Sequence, residues 1–278
     1  MDDVELVDVS RAWTPEDLAA LPLTSARHLG RSRCRFEVRL PERGAFLVKI
    51  YRPRSLRKAL FSHERRGRAE REWTNAFRAR RAGIPTVLPV GRARPAWSGD
   101  RREVIAYPFL AGARDLTSVL GSSRTSATQR IAALESAAWL MRIAHDRGLT
   151  IDDFPPGQVL FGVERRPVLV DLERAHWSER VGWPRRIRDL ARFDRGLAEI
   201  ERDHPRSASN GERLRFLLAY TEAGAPPIGR DAMVRWVRIL SQASIRRRTG
   251  RRKRELAALQ SAAPVTSIPL GLADGYLA

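Results

Sequence analysis

The chain has 278 residues, 43% of them hydrophobic, enough for one large domain or two lobes. Its 51 basic residues against 32 acidic ones give a formal charge of +19, a field that favours polyanions such as nucleic acid, anionic lipid headgroups or phosphorylated glycans. Cys34 is the single cysteine, which excludes an internal disulfide and a cysteine-based metal site and fits a reducing compartment.

The opening "MDDVELVDVS" is acidic and lacks the basic-then-apolar layout of a signal peptide. A membrane span needs about 18 apolar residues in a row, and Glu135 interrupts the best candidate, "AALESAAWLMRIAH". The expected location is cytoplasmic, with peripheral contact at the anionic inner face of the cytoplasmic membrane as a further expectation. Only Lys49, Lys58 and Lys253 are lysines; the remaining positive side chains are arginines. A general preference for arginine codons explains this bias without any function. It also makes each lysine informative, because an ammonium and a guanidinium do different work.

In chain order, "TPEDLAALP" predicts a short helix with Thr14 as N-cap and Pro15 at the first helical position. "CRFEVRL" alternates as a half-buried strand should, and a turn at "PERG" leads into a second strand, "AFLVKIY". A helix is predicted from Glu64 to Ala82, stopped by Gly83 and Pro85, then two strands, "TVLPVG" and "EVIAYPF". "SATQRIAALESAAWLMRIAHDRG" opens with a capping box, Ser126 and Gln129, and carries helical spacing. "QVLFGVERRPVLVDL" predicts two short strands, followed by helices near 185–202, 210–223 and 231–248. The expected division is a β-rich N-lobe over 1–110, a helical C-lobe over 111–248, and a basic run with a loosely ordered tail over 249–278.

Four residues stand out along this pattern. Lys49 lies inside a strand with apolar neighbours, where it either faces solvent from a sheet edge or points into a cleft and holds phosphate. Such a lysine needs a carboxylate, and the following helix offers Glu64, Glu70 and Glu72. Glu72 is preferred, because Trp73 and Phe77 set an apolar stripe that it borders, and Glu70 is the alternative. Asp171 ends the strand "PVLVD", either as a metal ligand or as a loop cap. Asp153, 18 residues earlier across strand, turn and strand, could face it over a small space. Strand Lys, helix Glu, loop Asp and strand-end Asp, in that order, are the layout of a protein-kinase-like phosphotransferase.

The words "GRSRCRFEV…GAFLVKIYR", "AEREWTNAFRARRAGIPT", "IDDFPPGQVLF", "VLVDLERAHW" and "RRIRDLARF" together resemble the lipopolysaccharide kinase family, the Kdo and core-heptose kinases, over about residues 25–200. The resemblance implies an α+β, protein-kinase-like fold with two lobes, and an enzyme that moves phosphate from ATP with Mg²⁺ to a sugar hydroxyl of an envelope glycolipid or glycan. By that resemblance Lys49 holds the ATP phosphates, Glu72 positions it, Asp153 is the catalytic base and Asp171 the metal ligand. Asp189 is then a buried helix aspartate that braces the catalytic loop.

Some positions depart from the general kinase pattern. Ile151 and Asp152 replace the His-Arg that precedes the base, and Asp152 suits a loop-bracing or surface role. Gln158 stands where a metal-binding Asn is usual, and its amide oxygen could serve the same metal. The phosphate loop is reduced to "HLGRSRC", with Gly30 for flexibility and Arg31 and Arg33 as direct phosphate contacts. Three alternatives follow: a kinase-fold scaffold with weak or no catalysis, a kinase for protein Ser/Thr or a small molecule, and a nucleic-acid binder built on "RRRTGRRKR". The last run also suits a membrane surface. His145, ending a helix, reads as a packing residue. No GxxxxGK[ST], GxGxxG, HExxH or GxSxG motif occurs.

Overall fold

The computed structural model describes residues 27–28, 35–40, 44–51, 67–93, 103–152, 154–162, 166–204, 208–224 and 226–262. The helix expected at "TPEDLAALP", Cys34 and the start of the second helix at Glu64 lie outside them. Five antiparallel strands make the first sheet: β1 (Arg27–His28), β2 (Arg35–Leu40), β3 (Gly44–Tyr51), β4 (Gly91–Ala93) and β5 (Glu103–Pro108). Their order is β1-β2-β3-β5-β4, so the strand carrying Lys49 is central.

Side chains alternate across a strand, and β3 uses both faces. Phe46, Val48 and Ile50 pack with Val38, Val104 and Ala106 on one side. Tyr51 joins Ile105 and Tyr107 on the other, where α1 (Arg68–Arg81) covers the sheet. The buried positions of α1 are Ala69, Glu72, Ala76 and Ala79, a stripe at spacings of three and four. The Trp73 and Phe77 rings meet at a tilt, their centres 5.0 Å apart, and remain half-buried. Glu72 therefore sits in the middle of an alanine stripe, not at the edge of an aromatic one. Small side chains let the helix approach closely and bring the carboxylate inside.

The start of α1 is held from the sheet. Its N-cap Gly67 has no capping side chain, and Glu103 of β5 accepts the Ala69 N–H at 2.9 Å instead. A Cβ on Gly67 would lie 1.6 Å from Glu103 Oε1, so only glycine admits this long-range cap. The strand expected at "TVLPVG" does not form there. Pro85 and Pro89 cannot donate to a ladder, and the segment makes a single bridge, Thr86 to Leu169, before β4 begins at Gly91.

The second part contains β6 (Arg114–Asp115), α2 (Leu116–Gly121), α3 (Ala127–Asp146), β7 (Leu149–Ile151), β8 (Val159–Phe161), β9 (Pro167–Leu169) and β10 (Ala175–Trp177), then α4 (Trp183–Asp203), α5 (Asn210–Glu222) and α6 (Arg230–Ala262). The Ser126–Gln129 capping box opens α3 as expected. The main core gathers Leu134, Leu140 and Met141 of α3 with Phe193 of α4 and Phe216 of α5, and the Phe193 and Phe216 rings stack at 4.6 Å. Asp194, almost wholly buried, accepts two hydrogen bonds from Arg213, joining α4 to α5. Overall the arrangement is α+β, a small sheet followed by helices.

The last helix, expected near 231–248, is longer than predicted. The basic run assigned with the tail is helical, and α6 continues through it to Ala262. No proline interrupts the chain between Pro227 and Pro264, and Arg, Lys, Glu, Leu and Ala are strong helix formers.

Candidate active site

Lys49 stands on the α1 side of β3, with its side chain 7% exposed. Its Nζ donates to Glu72 Oε1 at 2.6 Å and to Asp171 Oδ1 at 3.2 Å. Residues 23 and 122 positions away thus meet on one ammonium. Glu72 is completely buried, and a buried carboxylate needs every lone pair engaged. The Tyr51 and Tyr107 hydroxyls donate to it as well, Tyr107 at 2.7 Å. Burial and the nearby carboxylate of Glu72 push both phenols far above their ordinary pKa, so both keep their protons and remain donors. Glu70, the alternative partner, instead faces Arg92 at 3.9 Å on the surface.

Asp171 follows β9 in a left-handed backbone conformation, φ 66° and ψ 52°, which aspartate tolerates better than most residues. The Val170 N–H donates to the Gln158 carbonyl at 3.0 Å, which sets the "PPGQ" turn beside Asp171. That turn is packed from behind by α4. A Cβ on Gly196 would lie 2.4 Å from Pro156 Cδ, so helix and loop touch backbone to ring.

The helix carrying Glu72 is tied to the segment carrying Asp171 by contacts that sequence reasoning missed. Arg68 donates to both oxygens of Glu173, at 2.9 and 2.8 Å, while its guanidinium lies 4.5 Å from the Tyr51 ring centre. The Asn75 amide donates to the carbonyls of Leu172 and Ala175 at 2.8 and 3.3 Å and accepts from Trp177 Nε1 at 3.1 Å. An amide is suited to this double task because it carries donors and an acceptor together. Its rarity was the available signal: Asn75 and Asn210 are the chain's two asparagines.

Asp152 is held by cations. It accepts from Arg185 at 2.7 Å, faces His176 Nε2 at 2.9 Å, and lies 3.6 Å from Arg192. Partial burial would raise its carboxyl pKa, but the hydrogen bonds from Arg185 and His176 prevail and hold it below the usual range. A carboxylate so engaged is a poor base and a good brace. Arg185 and Arg192 also lie 3.4 Å from the fully buried Asp189 of α4, so two arginines link the loop to that helix. Asp153, Gly30, Arg31 and Arg33 lie outside the described residues. A cavity of about 320 Å³ opens beside Asp152, lined by Thr150, His176, Ser178, Arg180 and Arg185.

The donor set bears on a metal. Gln158 has a buried amide oxygen with no hydrogen-bond partner among the described residues, close along the backbone pairing to Asp171. A carboxylate and an amide oxygen are hard donors of the kind that would fit Mg²⁺, which commonly takes one or two carboxylates and completes its shell with phosphates and water. No group of three or more His, Cys, Asp or Glu side chains that could hold a metal occurs among the described residues.

His145 is buried at the end of α3, its Nδ1 2.7 Å from the Tyr220 hydroxyl and its Nε2 3.5 Å from Asp189. Burial lowers its pKa, against a partial offset from Asp189. The folded protein thus binds fewer protons than the unfolded chain between that lowered pKa and about 6.5. Stability should be full above pH 6.5 and fall as the pH drops below it. Thermal melts from pH 7.5 to 5 check this: His145→Gln should flatten the decline, and an unchanged slope would contradict it.

A family model described as "Lipopolysaccharide kinase (Kdo/WaaP) family" matches residues 27–220. No curated protein matches the chain. The matched stretch runs from β1 into the last turn of α5 and contains Lys49, Glu72, Gln158 and Asp171.

Proposed function

The chain belongs to the lipopolysaccharide kinase (Kdo/WaaP) family, and from that premise we propose that it transfers the γ-phosphoryl group of ATP to a sugar hydroxyl of an envelope glycolipid or glycan. The observation that carries the reading is the meeting of Lys49, Glu72 and Asp171 on one ammonium. Positioning and charge supply most of phosphoryl-transfer catalysis, and this cluster offers both. Lys49, oriented by Glu72, would neutralise phosphate oxygens. Asp171 and the amide oxygen of Gln158 would hold Mg²⁺, which supplies further charge neutralisation on the phosphates. Asp153 would accept the proton of the acceptor hydroxyl as its oxygen bonds to the γ-phosphorus and the bridging oxygen leaves with ADP.

Two features favour a glycan over a protein acceptor. Eleven residues, 172–182, separate Asp171 from the first residue of α4, and six of them belong to a 3-10 turn and β10. That length leaves little room for the long regulatory loop of protein kinases. The cavity beside Asp152 adjoins Asp153 in the chain and carries Arg180 and Arg185, which suits an acceptor bearing phosphate or carboxylate.

Calorimetric titration of ATP with Mg²⁺ tests the phosphate site. Lys49→Met should weaken binding about 10- to 100-fold, the worth of a charged hydrogen bond, in protein shown to be folded by circular dichroism. Equal affinity in the folded variant would remove Lys49 from the site.

A further inference from the structure

An exposed flank of α6 has a composition that no neighbour among the described residues explains. The inner face buries Met233, Val237 and Ser241 and packs on α4, with Arg195 donating to Ser244 and Arg248 to Glu199. At 100° per residue, Trp236, Ile239 and Leu240 fall on an arc of about 100° flanking that face, with Leu240 beside Met233 and Ile239 farthest from it. These are 52%, 48% and 36% exposed, adjoining one another at spacings of three, one and four. Large apolar side chains grouped in solvent mark a contact surface.

Their surroundings are cationic. Between Asp231 and Glu255 the helix holds nine basic residues, 235, 238, 246–248 and 251–254, and no acidic one. Arg235, Arg246 and Arg247 lie on or beside the same flank and have no carboxylate partner among the described residues. Trp236 and the two aliphatic residues thus form a wedge framed by guanidinium groups. No helix among the described residues is long and apolar enough to cross a membrane.

We propose that this face of α6 docks on an anionic lipid bilayer, with Trp236, Ile239 and Leu240 seated at the boundary of headgroups and acyl chains and the arginines on lipid phosphates. Helices of this kind lie in the interface plane, with tryptophan and leucine inward and basic residues at the headgroups. A nucleic-acid backbone would match the arginines but offers nothing to Ile239 and Leu240. A second copy of the chain would match the apolar wedge but would bring Arg235, Arg246 and Arg247 against the same three cations. The bilayer satisfies both parts. The surface is independent of the catalytic reading, because docking is measured without ATP or acceptor.

Sedimentation with vesicles tests the proposal on the full chain. The wild type should bind vesicles rich in phosphatidylglycerol at about 0.1 M salt and bind phosphatidylcholine vesicles at least tenfold more weakly. Trp236→Ser with Ile239→Ser should reduce partitioning at least tenfold, and Arg246→Gln with Arg247→Gln should reduce it only on anionic vesicles. All four side chains are exposed, so both variants should keep the wild-type melting temperature. No vesicle binding by the wild type, or unchanged binding by the Trp236/Ile239 variant, overturns the proposal. So does binding to double-stranded RNA in place of vesicles, or a concentration-dependent dimer that this variant abolishes.

Discussion

Replacing Glu72 with alanine is expected to cost about 3–5 kcal/mol of stability and to abolish phosphate transfer. The magnitude is that of removing one partner from a buried ion pair. Here the loss is compounded, because the Tyr51 and Tyr107 hydroxyls lose their acceptor in the same step. Lys49 would keep Asp171 at 3.2 Å, and the ammonium should swing toward it, away from the phosphate position. Glu72→Gln retains an acceptor for the hydroxyls and should be less destabilising while still impairing transfer. Chemical denaturation measures the first effect and single-turnover transfer the second. An alanine variant as stable as wild type would show that the buried cluster is not the keystone of this lobe.

The second large effect separates two adjacent carboxylates. Asp153→Asn should lower transfer about 10²- to 10⁴-fold, the usual worth of a positioned general base, while ATP binding stays within a few-fold. Asp152→Asn should act differently, because Asp152 is engaged by Arg185 and His176. Its carboxylate pKa is depressed, so its contribution to stability is present above the unfolded value near 3.9 and lost as pH falls below it. At neutral pH the Asn variant should therefore melt lower yet retain transfer within about tenfold per folded molecule. The reverse pattern, with Asp152→Asn inactive and Asp153→Asn active, would exchange the two roles.

How much of this could be read from the sequence depended on the range of each interaction. The strand "AFLVKIY" and the capped helix at Ser126 are local patterns, and both form as their residues suggest. Lys49 was legible because lysine is rare here, and Glu72 because a carboxylate beside an apolar stripe has few uses. The stripe itself was misread. Trp73 does pack against the Tyr51, Ile105 and Tyr107 cluster, but the alanines allow closer packing and take the inside, with Glu72 among them. Two prolines displaced the strand expected at 86–91, a signal present in the sequence but given too little weight.

The clamp between α1 and the Asp171 segment was not legible, since Arg68 to Glu173 and Asn75 to Leu172 span about a hundred residues. Nor was the brace of Arg185 and Arg192 between Asp152 and Asp189. Arginine is so common in this chain that neither Arg185 nor Arg192 drew notice. The long α6 was cut short because a run of like charges reads as a solvated tail, whereas its residues are good helix formers anchored to α4 by Arg195 and Arg248.

The most direct test of the account is transfer of labelled phosphate from ATP with Mg²⁺ to an envelope glycolipid extract, with wild type and Asp153→Asn side by side. The account predicts label in the glycolipid with wild type alone, at a sugar hydroxyl that mass spectrometry of the product would locate. Equal label with both proteins, or none with wild type despite ATP binding, would contradict it.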